Sequence, residues 1–303
     1  MPSTVKNYLS LIKFSHTIFA MPFALIGFSL GIISLPKTVI PGWHTIIYPH
    51  GEIHFVVKMF ILVILCMVFA RSAAMAFNRY LDRQFDAKNP RTAVREIPAG
   101  IISARNALVF TIGSCILFIV CTYFINSVCF FLSPVALFVV LFYSYTKRFT
   151  ALCHLVLGLG LSLAPIGAYL AVTGQFALLP ILFSIAVICW VSGFDIIYAL
   201  QDEAFDKENQ LYSIPSVLGK GKALMVSILL HFGSAAAVIA AGFYGHFGAY
   251  YWLGILVFVG MLIYQHSIVK PNDLSKVNIA FMTANGIASV VFAAFVLLDL
   301  FLR

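Results

Sequence analysis

The chain has 303 residues, 62% of them hydrophobic and 10% charged, with a formal charge of +8. Soluble domains carry roughly 25% charged and about 45–50% apolar residues, so a water-soluble fold of this length has no means of hiding so much apolar surface. Lipid is the expected solvent for most of the chain, and a soluble enzyme or a basic nucleic-acid-binding domain is excluded.

Apolar stretches near twenty residues cross a bilayer as helices, because only a helix satisfies its own backbone there. Nine occur, near residues 14–35, 54–81, 104–124, 128–147, 153–173, 177–201, 221–243, 247–268 and 276–300. The expected fold is therefore an all-α membrane protein of nine transmembrane helices in a single domain, residues 1–303. In the first span Lys13, His16 and Pro22 interrupt the apolar run and no small-residue cleavage pattern follows, so it reads as a retained span and not a signal peptide. Asn7 and His16 are polar residues near the start of span one, and His16 is expected at a packing or interface position. Gly27 and Gly31 form a Gly-x-x-x-Gly pair that lets a neighbouring helix approach closely. The six cysteines lie in apolar runs without a Cys-x-x-Cys pair and read as small buried hydrophobes.

Connections are short except for Asp86–Ser103 and Asp206–Lys220, each of which follows an aspartate cluster and carries Ile-Pro and then Gly: Ile97-Pro98 with Gly100, and Ile214-Pro215 with Gly219. With the N-terminus in the cytoplasm, fifteen of the nineteen Lys and Arg residues fall inside, Lys37, Lys58 and Arg303 fall outside, and only Arg71 is left, well within the second span. Lys and Arg bias of this kind sets orientation, and it accounts for the net charge without nucleic acid. Spans two and six then both descend to the cytoplasmic face and bring both aspartate clusters to it.

Seven of the eleven acidic residues lie in those clusters. Asn78, Asp82 and Asp86 are spaced by four and share one helix face; Asp195, Asp202 and Asp206 are expected to form a second stripe, with Tyr198 on it. Like charges about 4 Å apart repel by about 4 kcal/mol at an effective dielectric of ~20, and a divalent cation reverses that sign. Carboxylates and an amide, with no Cys or His cluster near them, suit magnesium, calcium or manganese. Magnesium is usually shared between one or two carboxylates and substrate phosphates, and two facing stripes suggest two ions with a diphosphate between them. Surface ion pairs with Arg79, Arg83 and Lys207 are the competing explanation.

Arg71 lies seven residues before Asn78, two turns deeper on the same face. An intramembrane arginine marks a functional site by default, and its fork suits a carboxylate; an internal partner such as Asp195 is the alternative. Tyr143 and Lys147, with Tyr145 and Arg148, end span four, where anchoring at the interface and phosphate binding are both open to them. Arg91 and Arg95 sit in the first long loop, expected to close over a diphosphate and exclude water.

Asn78-x-x-x-Asp82-x-x-x-Asp86 and Asp195-x-x-Tyr198-Ala-x-Gln201-Asp202-x-x-x-Asp206 resemble the two signature motifs of the UbiA superfamily of aromatic prenyltransferases. The segment Lys13 to Leu25 is similar to the start of its 4-hydroxybenzoate polyprenyltransferase branch, and Arg91-Thr-Ala-x-Arg95-x-Ile97-Pro98-x-Gly100 and Tyr143-Ser-Tyr-Thr-Lys147-Arg148 match as well. The resemblance spans most of the chain. It implies nine helices around a central cavity open to lipid, and Mg²⁺ held by Asn78, Asp82 and Asp86 on one side and by Asp202 and Asp206 on the other. It also implies an aromatic-acid site at Arg71, diphosphate contacts at Tyr143 and Lys147, and a functional Asp195. The expected reaction moves a polyprenyl group from its diphosphate to 4-hydroxybenzoate, as in ubiquinone synthesis, or to a dihydroxynaphthoate, as in menaquinone synthesis. The expected place is a bacterial inner membrane, with the site towards the cytoplasm, lipid around it and no obligate protein partner. A cation- or proton-coupled transporter is the rival class; transporter sites lie near the bilayer midplane, whereas these carboxylates sit at helix ends.

Overall fold

A computed structural model describes residues 4–13, 19–35, 38, 39, 46, 47 and 53–302. It is helical apart from one short antiparallel pairing. In chain order the elements are α1 (Thr4–Leu11), α2 (Met21–Ser34), β1 (Thr38–Val39), β2 (Ile46–Ile47), α3 (Ile53–Lys88), α4 (Ala104–Ile125), α5 (Ser127–Thr146), α6 (Cys153–Thr173), α7 (Leu178–Ala199), α8 (Glu203–Glu208), α9 (Ile214–Tyr244), α10 (Ala249–Ile268) and α11 (Asn285–Leu302). Among the described residues eight helices are long and apolar enough to cross a membrane, with α7 and α8 counted as one span and residues 279–302 as another. The ninth expected span, residues 14–35, contributes the 14-residue α2, about 21 Å long at 1.5 Å per residue and so short of the roughly 30 Å hydrocarbon layer. Pro22 stands in its first turn and limits it there. His16 lies outside the described residues.

Helix α3 runs on for 36 residues, about 54 Å, and carries the first aspartate cluster beyond the expected end of span two. Helix α9 likewise starts seven residues earlier than its apolar run, at Ile214, where Ser213 and Ser216 form a capping box, and it kinks at Gly219 (φ 76°, ψ 162°). Gly100 in the other long loop also has a positive φ, 73°. The two Ile-Pro loops thus share a left-handed glycine, a conformation that a Cβ disfavours.

Helix α7 is the centre of the bundle, flanked by α6 and α9, while α3 and α4 pair on one side and α10 and α11 on the other. Close approach depends on glycine. A Cβ on Gly27 would fall 2.0 Å from the Pro165 carbonyl oxygen, and one on Gly31 would fall 2.8 Å from Val172, so the Gly-x-x-x-Gly face of α2 lies against α6. The core is aromatic: Phe23 of α2, Phe183, Trp190 and Phe194 of α7, Phe258 of α10 and Phe292 of α11 are all buried together. Exposed phenylalanines such as Phe131, Phe232 and Phe138 face the surroundings instead, as lipid permits.

One polar knot shapes the wall of the site. A π-helical turn, Ile279–Ala284, precedes α11. The Asn285 side chain donates to the Ala280 and Phe281 carbonyls at 3.1 and 3.0 Å, and its oxygen accepts from Trp190 Nε1 and Gln265 Nε2, both at 2.9 Å. The bonds satisfy backbone groups that a π turn displaces and hold Phe281 against Phe194 and Tyr198, at ring-centroid distances of 5.5 and 4.2 Å.

Candidate active site

Twelve of the residues singled out from the sequence line one cavity of about 430 Å³: Arg71, Asn78, Asp82 and Asp86 from α3, Arg91 and Arg95 from the loop after it, Tyr143 and Lys147 from the end of α5, and Asp195, Tyr198, Asp202 and Asp206 from α7, α8 and the turn between them. The α3 residues do so because positions seven and four apart return to one face of an unbroken helix.

The second cluster is built differently from the single stripe expected. Helix α7 stops at Ala199, a 3₁₀ turn occupies Leu200–Asp202, and α8 begins at Glu203. A 3₁₀ turn packs three residues per turn instead of 3.6 and so rotates α8 relative to α7. Leu200, buried to 1% exposure, anchors the turn. Asp202 itself adopts φ −100° and ψ 2°, a sparsely populated region frequented by active-site residues.

Each carboxylate has partners. Asp82, 2% exposed, accepts from Asn78 Nδ2 at 3.2 Å and meets Lys147 Nζ at 3.1 Å and Arg148 Nη2 at 2.8 Å. Asp86 pairs with Arg95 at 2.6 Å through Oδ1, while its Oδ2 is buried with no hydrogen-bond partner among the described residues. Asp202 takes two bonds from Arg91, at 3.0 and 2.5 Å, and one from Asn89 at 3.3 Å. Arg91 also donates to the Tyr198 hydroxyl at 3.0 Å and lies 5.3 Å over its ring. Partial burial works against the charge of the Arg91 guanidinium, but Asp202 and Tyr198 outweigh it and raise its pKa above the ordinary arginine value. Asp206 accepts from Ser213 Oγ at 2.8 Å, and Asp195 Oδ2 meets His154 Nδ1 at 2.7 Å.

These partners differ from the expected competitors. Lys207 pairs with Glu203 at 2.7 Å, and Arg83 donates to the Tyr80 carbonyl and covers the Tyr80 ring. Arg79 is buried in the cavity wall, its Nε without a partner among the described residues. Arg71 is not held by Asp195, which is turned to His154. Its Nη2 donates to the Lys13 carbonyl at 3.1 Å, and its Nε is buried without a partner among the described residues. Buried donors of this kind are rare unless a ligand completes them.

The donor set fits a hard cation. The unpartnered Oδ2 of Asp86 and the carboxylates of Asp82, Asp202 and Asp206 offer oxygen only, and no three His, Cys, Asp or Glu side chains among the described residues are grouped to enclose an ion by themselves. Magnesium shared between one or two carboxylates, waters and substrate phosphates needs no such cage. Sequence spacing missed His154, Asn89 and Ser213. Each lies far along the chain from the carboxylate it serves, except Ser213, and carries no periodic signal.

Comparison with known proteins finds similarity over most of the chain. The UbiA prenyltransferase family matches residues 38–290. A protein of Francisella tularensis subsp. mediasiatica named 4-hydroxybenzoate octaprenyltransferase is 30% identical over 226 residues, 75% of this chain and 79% of its own. One of the same name from Nitrosospira multiformis is 29% identical over 237 residues, 78% and 81% of the two chains. The apo structure of a UbiA homolog from Aeropyrum pernix superposes with a TM-score of 0.79 at 28% identity, covering 94% of this chain and 98% of that one. A UbiA homolog from Archaeoglobus fulgidus bound to DMAPP and Mg²⁺ shares the fold at a TM-score of 0.70 and 20% identity, covering 97% and 99%.

Proposed function

The chain belongs to the UbiA prenyltransferase family, and from that premise we propose that it transfers a polyprenyl group from its diphosphate to a carboxylated aromatic ring, 4-hydroxybenzoate in the first instance. It is a multi-pass membrane enzyme of the prenyltransferase type. The observation that carries the finer assignment is Arg71. Its buried Nε, unpartnered among the described residues, belongs to a side chain in the same cavity as both aspartate clusters, so a carboxylated acceptor and a diphosphate donor fit one chamber.

Asn78, Asp82 and Asp86, facing Asp202 and Asp206, would hold Mg²⁺, which when bound supplies Lewis-acid stabilisation of the departing diphosphate. The chain's own residues do the rest. Lys147, Arg148, Arg91 and Arg95 already converge on the aspartates. Phosphate oxygens compete for those cations, so donor binding exchanges carboxylate–cation pairs for phosphate–cation pairs. Phe19, Phe194, Phe281 and Tyr198 wall the cavity below, excluding water and placing ring faces against an allylic cation. Arg71 orients the acceptor by its carboxylate. The positive-inside pattern supports a site facing the cytoplasm of a bacterial inner membrane, and Arg91 and Arg95 serve as the closing lid.

The test is direct. Membranes containing the protein are incubated with radiolabelled prenyl diphosphates of several lengths, Mg²⁺, and either 4-hydroxybenzoate or a dihydroxynaphthoate. Prenylated 4-hydroxybenzoate supports the assignment; product with the naphthoate alone moves the acceptor to the menaquinone type, and product with neither removes the carboxylated-acceptor assignment.

A further inference from the structure

His154 has no part in the scheme above, yet it holds a carboxylate, Asp195, that faces the same cavity. It sits in the first turn of α6, is 3% exposed, and lines the cavity beside Asp195. The Ile214 backbone N–H donates to His154 Nε2 at 3.3 Å, so that nitrogen presents a lone pair. The ring proton is then on Nδ1, which donates to Asp195 Oδ2 at 2.7 Å. The tautomer is thus set by the bond at the far nitrogen.

The backbone secures both ends. A Cβ at Gly158 would fall 2.4 Å from Ser192 Oγ and 2.6 Å from the Ile188 carbonyl oxygen, so glycine brings α6 against α7 within reach of Asp195. Ser192 Oγ donates to the His154 carbonyl at 3.0 Å. Ile214 follows Ser213, whose hydroxyl donates to Asp206 at 2.8 Å. The start of α9 therefore touches an aspartate of the second cluster with one residue and the His154–Asp195 pair with the next. Among the described residues Asp195 makes no other hydrogen bond, and its side chain is 24% exposed. One carboxylate oxygen is taken and the other is left to the cavity.

We propose that His154 is a positioning residue for the acceptor half of the reaction: it holds Asp195 as an oriented carboxylate whose free oxygen takes the ring proton. The inference rests on the prenyl-transfer assignment above. In the step, a ring carbon bonds to C1 of the prenyl group, and the electron pair of the broken C1–O bond leaves with the diphosphate. The hydrogen on that ring carbon then passes as a proton to Asp195, and its C–H electron pair restores aromaticity.

The test uses the full chain in lipid nanodiscs, with His154→Asn and His154→Gln compared with the unaltered protein. Asn places an N–H near the Nδ1 position; Gln places its amide near Nε2 and loses the contact to Asp195. Four quantities are read: kcat for transfer, KM for geranyl diphosphate, acceptor-independent hydrolysis of geranyl diphosphate, and the isotope effect with ring-deuterated 4-hydroxybenzoate. His154→Gln is expected to lower kcat by roughly 10- to 100-fold, the range for outer partners of a reacting site. Its KM and hydrolysis rate should stay near those of the unaltered protein, and a ring isotope effect should appear because proton loss becomes slow. His154→Asn should stay near the unaltered protein. Equal loss of transfer and hydrolysis in both variants, or an unchanged kcat without an isotope effect in His154→Gln, overturns the inference while the prenyl-transfer assignment stands. No transfer by the unaltered protein overturns both. Should His154→Gln fail to fold, His154→Ala with added imidazole takes its place; recovery of transfer is expected, and no recovery in folded protein overturns the role.

Discussion

The two aspartate clusters have similar spacing in the chain and different construction in space. The first rides an unbroken helix, α3, and its carboxylates are met by cations from α5 and from the following loop. The second straddles a 3₁₀ turn, and its carboxylates are met by Arg91 from the first cluster's loop and by Ser213 from its own. The first is therefore a continuous ledge buried in charge, the second a broken edge whose main partner is borrowed. Equal spacing guarantees an equal face only while the helix stays α.

That contrast can be broken by substitution. The largest effect is expected at Asp82, which organises Asn78, Lys147 and Arg148 at once. Asp82→Ala should lower transfer by about 100- to 1000-fold, the magnitude seen when one electrostatic group of a reacting site is removed, and should also lower the thermal midpoint because two partly buried cations lose their partner. A retained midpoint with retained turnover would sink the idea that Asp82 organises the α3 ledge. Arg71→Gln comes next. Removing one side of a desolvated charge pair costs about 2–5 kcal/mol, so KM for the aromatic acid should rise at least tenfold while KM for the prenyl diphosphate moves little. A parallel rise in both would place Arg71 outside the acceptor site.

Smaller effects separate the clusters further. Arg91→Ala removes the main partner of Asp202 but leaves the α3 ledge intact, so KM for the diphosphate should rise by roughly tenfold, about 1.4 kcal/mol, with kcat changed less than in Asp82→Ala. Lys207→Ala removes an exposed pair with Glu203. Such pairs contribute about 0–1 kcal/mol, and activity within twofold of the unaltered protein is expected in the same assay; a tenfold loss would mean that Lys207 leaves Glu203 for the site.

Much of this architecture is legible in the sequence, for identifiable reasons. Helix spans and the shared face of Asn78, Asp82 and Asp86 follow from composition and the helical period, which need no knowledge of neighbours. The paired Ile-Pro loops proved to share a positive-φ glycine, Gly100 and Gly219, so that local repeat is structural. The break after Ala199 was not legible, because Leu200-Gln-Asp202 has ordinary helix-forming residues and the turn follows from burying Leu200. His154 was not legible either. It lies 41 residues before Asp195, and only the packing of α6 on α7 joins them. The identities of the cations on Asp82 were half visible: Lys147 and Arg148 were marked by position, but nothing in the spacing of α3 and α5 distinguished them from Arg79 and Arg83.

The central claim is that both clusters serve one cavity in which a prenyl diphosphate meets a carboxylated ring. The most direct measurement is product formation from radiolabelled prenyl diphosphate and 4-hydroxybenzoate by the purified protein in nanodiscs, with and without Mg²⁺, alongside Asp82→Ala and Asp202→Ala. The account predicts prenylated 4-hydroxybenzoate that requires Mg²⁺ and is lost in both variants. Unchanged Mg²⁺-dependent product in either variant would contradict it.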